Sequence, residues 1–486
     1  MDSFDLLIVG GGINGAAIAR DAAIRGAKTL LVERDDLGQH TSSASSKLIH
    51  GGLRYLEQYE FRLVREALKE REILLRTAPH IVRPLRFVLP DGEAMRPWWM
   101  LRAGLLLYDL LASGGSLPRS RGVGRRDAAR GGLANRATRL AAYWDASVDD
   151  ARLVILNAVD AAERGAEITT RTEFLSAARE GDVWRASLSG GRVVTARAIV
   201  NAAGPWVAEV LRGRLSETSR AKVRLVKGSH IVVPRLFDGE HAFILQQPDG
   251  RIVFAIPYEG RFTLIGTTDV PVEAPEDAVI AAAEVDYLCA AANLYLSEPI
   301  APADVVWSYS GVRSLYDDGE ADPKAVTRDY RLELDDDPGA KLLSVFGGKV
   351  TTARALAEEA LDRLGVEGRR STGWVALPGG DITPAFHEHL ADLAQWMPAP
   401  LLARLARSYG TRLRDLIDGA SSLDGLGRHF GAGLHEAEIR YLTDREFART
   451  AEDILWRRTK LGLHMTAGER ETVADRLAGT CPPRNG

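Results

Sequence analysis

Cysteine is nearly absent: the chain holds two, Cys289 and Cys481, far apart and outside any metal-ligand spacing. Neither a disulfide framework nor a zinc site is expected, and a reducing compartment fits. Strong net charge is missing too, since 62 Lys and Arg stand against 66 Asp and Glu for a formal −4. That balance gives no reason to expect nucleic acid as a partner. No apolar run reaches the roughly 18 residues that cross a bilayer as a helix. The nearest approach, Pro97 to Ala112, is broken by Arg102 and Asp109. It reads as a helix buried between domains, with docking on a membrane surface through its tryptophans as the other reading. The N-terminus lacks the basic region and cleavage site of a secretion signal, so a protein that stays in the cytoplasm is expected. A chain of 486 residues exceeds what one core serves, and about two or three domains are expected.

What is present begins at once. Phe4 to Val9 is an apolar run suited to a central parallel strand, and Gly10, Gly12 and Gly15 follow it in G-x-G-x-x-G spacing. The first glycine allows a tight turn, the second lets backbone approach a pyrophosphate, and the third lets the next helix pack close. Ala16 to Arg25 is Ala-rich and helical, with Gly26 as its stop. Thr29 to Val32 is the next strand and ends in Glu33, an acidic side chain placed to accept ribose hydroxyls. The unit predicts a bound dinucleotide, NAD or FAD, with NADP disfavoured by Glu33.

Ser42 to Leu56, S-S-A-S-S-K-L-I-H-G-G-L-R-Y-L, is too polar and too glycine-broken for a core element. It reads as the place where cofactor meets substrate. Glu60 to Arg76 follows as an amphipathic helix whose charges form a solvated face. Asp149 to Arg164 is a further helix, and Ala198 to Ala203 a buried strand ending at Gly204. From Val223 to Ile265 strand-like alternation predicts a mostly antiparallel sheet, and Glu276 to Leu296 is again helical. Leu343 to Phe346 then delivers Gly347-Gly348-Lys349-Val350-Thr351-Thr352 to a helix start, a second contact on the same cofactor. After a turn-rich stretch come short amphipathic helices, with capping-box spacing at Thr443–Glu446 and Thr466–Glu469. The basic run Trp456 to Lys460 reads as a solvated helix face, or else as a contact with anionic lipid or a partner chain.

K-L-I-H-G-G-L-R-Y-L, A-G-P-W, K-G-S-H-I-V-V-P, G-T-T-D, S-G-V-R-S-L and F-G-G-K-V-T-T occur in this order. In them the chain resembles the FAD-dependent, quinone-linked glycerol-3-phosphate dehydrogenases, within the wider group of glycine and amino-acid oxidases. The resemblance implies an α/β FAD-binding Rossmann-like domain, an antiparallel-sheet substrate domain and an all-α C-terminal domain. The expected limits are 1–75, 145–215 and 305–365 for FAD, 76–144 and 216–304 for substrate, 366–384 as linker and 385–486 for the helices. It further implies that Gly10, Gly12, Gly15 and Glu33 hold the adenosine diphosphate half of FAD. Ser45, Ser46, Lys47, Leu48, Gly204, Gly348 and Thr351 would lie along the flavin half. Arg54, Tyr55, Thr267, Arg313 and Arg328 would bind substrate, with His50, His230, Arg313 and Lys349 catalytic.

Chemistry agrees with that set. A phosphate monoester is well held by guanidinium forks and further donors, which Arg54, Tyr55, Arg313 and Arg328 supply. Removing a hydroxyl proton needs a base, for which His50 comes first, His230 second, and Lys349 remains open if neighbouring arginines lower its pKa. The expected reaction is oxidation of sn-glycerol 3-phosphate to dihydroxyacetone phosphate. Related oxidases carry a long insertion between the positions matching Arg313 and Lys349, and here that connection is short, which favours the dehydrogenase. Quinone, peripheral attachment to the inner face of the cytoplasmic membrane and a homodimer are expectations inherited from the resemblance. The alternatives are an FAD oxidase of glycerol 3-phosphate or an amino acid, and a non-catalytic FAD-binding interaction protein.

Overall fold

Two large sheets dominate a computed structural model that describes residues 2–91, 97–124, 127, 130–134, 139–215, 222–317, 329–336 and 339–479. The first is built on the strand Asp2–Val9, which pairs in parallel with Thr29–Val32 on one side and Val193–Asn201 on the other. Lys341–Phe346 extends the parallel set beyond Val193–Asn201, and Glu167–Thr169 extends it beyond Thr29–Val32. Arg331–Asp335 adds an antiparallel edge, and the hairpin Phe174–Glu180 with Val183–Leu188 joins the start of Val193–Asn201. Their central residues, Leu6 to Val9, Leu30 to Val32, Ala198 to Val200 and Leu342 to Leu343, are apolar and buried because helices or the hairpin cover both faces. In Lys341–Phe346 the side chains of Leu342, Leu343, Val345 and Phe346 are all buried, each contributing about 1.5–3 kcal/mol relative to exposure.

Helix Ile13–Ile24 packs between helices Asp150–Glu163 and Ala353–Leu364. Its small side chains Ala16, Ala19 and Ala22 are fully buried and permit that close approach. Asp149 caps Asp150–Glu163 by accepting from the Arg152 N–H at 3.1 Å, and Gly365 ends Ala353–Leu364 in the left-handed region at φ +76°.

The second sheet runs Val270–Val272, Lys222–Pro234, Phe262–Gly266, Ile252–Tyr258, His241–Gln246, Val82–Pro90, Leu140–Val148, Leu48–Ile49. It is antiparallel except where His241–Gln246 runs parallel to Val82–Pro90. Trp307–Asp317, expected in the FAD-binding part, instead pairs along its whole length with Lys222–Pro234. Leu48–Ile49 and Leu140–Val148 also belong to this sheet. A long strand satisfies its backbone only beside an equally long partner, and Lys222–Pro234 is that partner. The two sheets therefore exchange segments, and the chain passes between them at Ser42 to Lys47.

Several local expectations change. Helix Trp98–Leu111 buries only Leu105 and Tyr108, while Trp99, Leu106 and Leu110 are 69%, 60% and 62% exposed. It lies on the second sheet with one face outward rather than between domains. Helix Phe61–Thr77 does not carry all its charges on a solvated face: Glu70 and Arg71 are buried, paired to Arg354 and Asp145. Thr443 sits inside helix Glu436–Arg445 and caps nothing, whereas Thr466 and Glu469 form a reciprocal capping box before Ala467–Ala478. The basic run is no solvated face either. Arg457, Arg458 and Lys460 are buried, with Asp453–Arg458 forming a π-helical turn. Cys289 is buried and unpaired, and Cys481 lies outside the described residues.

Around the glycine turn there is no spare room. A Cβ on Gly15 would stand 1.9 Å from the Gly10 carbonyl oxygen, and one on Gly10, at φ +109°, would stand 2.6 Å from the Ala202 oxygen. Gly15→Ala should therefore lower the unfolding free energy by about 1–3 kcal/mol, the usual cost of overpacking. Denaturant titration checks this, and an unchanged midpoint would mean that helix Ile13–Ile24 shifts freely.

Candidate active site

The site begins where the central strand stops. Beyond Val9, the Gly11 N–H donates to Glu33 Oε2 at 2.6 Å and the Asp35 N–H to Oε1 at 2.9 Å. These bonds aim the carboxylate and draw its pKa down, but burial dominates and leaves it raised. At the helix start, Ser42 Oγ accepts from the Ile13 N–H at 3.0 Å. Asn14 donates through Nδ2 to the Gly347 carbonyl at 3.1 Å, and its Oδ1 is buried without a partner. Two distant strand ends, Val9 and Phe346, are thereby tied at one point.

Ser42 to Leu56 is pinned by buried charge. Lys47, at φ +59°, places Nζ 2.8 and 3.0 Å from the two carboxylate oxygens of Asp150 and 2.9 Å from the Ser43 carbonyl. Ser45 Oγ donates to the same Asp150 at 2.7 Å, and Ser46 Oγ meets His230 Nε2 at 2.8 Å. Further on, the Gly51 N–H donates to Tyr108 Oη at 2.8 Å, and that hydroxyl donates to Asp145, itself paired with Arg71 at 2.7 Å. Burial pushes the Asp145 carboxyl up to about 6. Gly51 must be glycine here, because a Cβ would stand 2.7 Å from that hydroxyl.

The second sheet supplies the opposite wall. Arg313 Nη2 donates to Asp269 Oδ1 at 2.5 Å and to the Thr268 carbonyl at 3.3 Å. A Cβ on Gly228 would reach within 2.7 Å of Thr267 Oγ1 and 2.8 Å of Arg313 Nη2, so the glycine makes room for both. The Lys349 ammonium lies 4.1 Å over the Tyr55 ring, a cation–π contact. His230 stacks on Tyr309 with ring centroids 4.9 Å apart. Burial first, then the charges of Lys47 and Arg313, pull its pKa down to about 3.

One cavity of about 740 Å³ joins these pieces. Gly10, Gly12, Glu33, Ser45, Ser46, Leu48, Gly204, Gly348 and Thr351 line it, and so do His50, Tyr55, His230, Thr267, Arg313 and Lys349. Gly15 and Lys47 do not. The first packs under the glycine turn and the second is turned away to Asp150. The side chain of Arg54 and the whole of Arg328 lie outside the described residues. Sequence reasoning missed Asn14, Asp150 and Asp269. Asp269 stands inside G-T-T-D, and Asp150 stands at the start of the helix expected from Asp149.

The cavity fits FAD. Its floor is a glycine turn that side chains cannot enter, with Glu33 beyond it. Gly204, at φ +56°, opens onto space with no atom within 4 Å of a Cβ position, and Asn14 Oδ1 offers a buried acceptor for a cofactor donor. Residues 5–363 match the family described as FAD dependent oxidoreductase, and residues 370–480 match the C-terminal domain of alpha-glycerophosphate oxidase. The chain is 52% identical to D-erythritol 1-phosphate dehydrogenase of Brucella abortus (strain 2308), covering 98% of this chain and 97% of that one. It is 50% identical to a glycerol-3-phosphate dehydrogenase of Pseudomonas aeruginosa, covering 99% and 96%. The solved glycerol-3-phosphate dehydrogenase from Bacillus halodurans, complexed with FAD, superposes with a TM-score of 0.71 at 26% identity, over 98% of this chain and 94% of that one. The chain belongs to the FAD-dependent glycerol-3-phosphate dehydrogenase family of flavin oxidoreductases.

Proposed function

We propose that the chain oxidises sn-glycerol 3-phosphate to dihydroxyacetone phosphate and passes the electrons to a quinone. The observation that carries this reading is the meeting of His50, Thr267, Arg313 and Lys349 in the cavity that also holds the glycine turn. Bound FAD supplies the two-electron acceptor for the hydride leaving the substrate's second carbon. Arg313, aimed by Asp269, and Lys349, fixed over Tyr55, bring two cations to the lining of one cavity. There they hold a phosphate and steady the charge on the hydroxyl oxygen as its proton leaves. His50 is the base we favour. His230 is held neutral far below neutral pH, and its Nε2 is already engaged by Ser46. In this reading His230 shapes the wall and moves no proton.

A second substrate is favoured by a specific finding, the 52% identity to D-erythritol 1-phosphate dehydrogenase. That polyol phosphate is one CHOH longer and offers the same phosphate and hydroxyl chemistry. For location, no helix among the described residues is long and apolar enough to cross a membrane. The exposed Trp99, Leu106 and Leu110 support peripheral attachment of a cytoplasmic protein, by helix Trp98–Leu111, to the inner face of the cytoplasmic membrane.

Anaerobic titration of the holoprotein tests the reaction. Glycerol 3-phosphate should bleach the flavin, and Arg313→Ala should lower kcat/KM by the equivalent of roughly 1.5–3 kcal/mol. Bleaching by D-erythritol 1-phosphate alone would move the substrate to the longer polyol, rapid reversal by oxygen would make the protein an oxidase, and bleaching by neither would sink the proposal.

The pH dependence tests the base. The unfolded His230 takes a proton below about pH 6.5, while the folded one resists until about 3. It therefore contributes stability that is complete above the upper value and lost as pH falls through that window, at most roughly 1.4 kcal/mol per pH unit. His230→Gln should flatten the acid side of the stability curve yet leave the apparent pKa of the kcat/KM profile in place. Disappearance of that kinetic limb would instead assign the base to His230.

A further inference from the structure

The buried basic run of the C-terminal domain reaches beneath the cofactor site. Asp36 is fully buried and receives Arg457 Nε at 2.5 Å and Arg458 Nη2 at 2.8 Å, with Arg458 Nη1 on the same carboxylate. Arg458 also donates to the Glu446 carbonyl at 2.7 Å, and Arg457 donates to Asp453 at 2.5 Å. Asp453 in turn receives Arg171, whose backbone N–H holds the Asp35 carbonyl at 2.9 Å. A few residues on, buried Lys460 pairs with Asp149.

The placement of the acids is what matters. Asp36 is the underside of the segment Glu33 to Ser42, whose other residues Glu33, Arg34 and Gly38 to Ser42 line the cavity. Asp149 immediately precedes Asp150, which anchors Ser45 and Lys47. Two arginines of one domain thus hold the segment Glu33 to Ser42 directly, and a lysine holds the helix start whose Asp150 anchors the loop Ser45 to Lys47. Ion pairs buried this deeply add little net stability over apolar packing, but they fix geometry, and losing one partner leaves an uncompensated charge. A plain docking contact between domains would have no reason to fall on these two loops. Arg412 with Glu163, at 2.6 Å, is such a plain contact, exposed and at the opposite end of helix Asp150–Glu163.

We propose that the π-helical turn Asp453–Arg458 and Lys460 brace the cofactor site through Asp36 and Asp149, so that docking of the C-terminal domain sets the affinity for FAD. Linkage makes the effect reciprocal: bound FAD strengthens the docking that strengthens it. The inference needs only bound FAD and is independent of which polyol phosphate is oxidised.

The test uses the full chain, stripped of FAD and titrated back with it while flavin fluorescence and thermal unfolding are followed. Asp36→Asn should raise the FAD Kd by about tenfold or more, within the usual range of coupling between sites, and Arg457→Gln, which leaves Arg458 on Asp36, by about threefold. Glu163→Gln should stay within about twofold of the parent, even where it lowers Tm. Should Asp36→Asn fail to fold, Arg457→Gln against Glu163→Gln decides alone. A folded Arg457→Gln chain that binds FAD as tightly as the parent would overturn the proposal and leave the cluster as domain packing.

Discussion

The bond on which the site depends is the buried pair between Lys47 and Asp150. The chain must cross from the parallel sheet to the second sheet within a few residues, and it does so with Lys47 in the left-handed region. Such a conformation persists in a non-glycine residue only where the surroundings over-determine it. Here Asp150 accepts from the ammonium, and from the Ser45 hydroxyl and backbone N–H, at the start of a buried helix. That single carboxylate sets where Ser45 and Ser46 face the cavity, and Ser46 then fixes His230. Of the cations that line the cavity, Arg313 comes from Trp307–Asp317 of the second sheet and Lys349 follows Lys341–Phe346 of the first.

Charge is arranged in two layers around the cavity. Lining it are Arg313, held by Asp269 and the Thr268 carbonyl, and Lys349, held over Tyr55. Behind them lie fully enclosed pairs, Lys47 with Asp150, Arg71 with Asp145, and Arg458 with Asp36. The enclosed pairs hold backbone, and in the proposed function the lining groups meet ligand.

Sequence made the nucleotide half legible because its requirements are local. Strand, glycines, helix and Glu33 lie within one short stretch, and each residue type has a steric reason to be there. The resemblance carried by K-L-I-H-G-G-L-R-Y-L, S-G-V-R and G-G-K-V-T-T implies one site for His50, Arg313 and Lys349, and the three line one cavity. What stayed hidden was decided by partners far along the chain. Lys47 is expected along the flavin half of the cofactor, but Asp150 takes its ammonium. Arg457, Arg458 and Lys460 looked like a solvated face because Asp36 and Asp149 stand hundreds of residues earlier. Trp307–Asp317 could not be assigned to a sheet before its partner strand was known.

In the proposed function, a hydride passes in this cavity from a carbon bearing a hydroxyl, beside a bound phosphate, to FAD. Anaerobic stopped-flow reduction with glycerol 3-phosphate deuterated at its second carbon tests it most directly. Flavin bleaching should slow with deuterium there and be unaffected by deuterium at the terminal carbons. Bleaching at equal rates with the second carbon protiated or deuterated, in a step shown to be chemistry rather than binding, would contradict it.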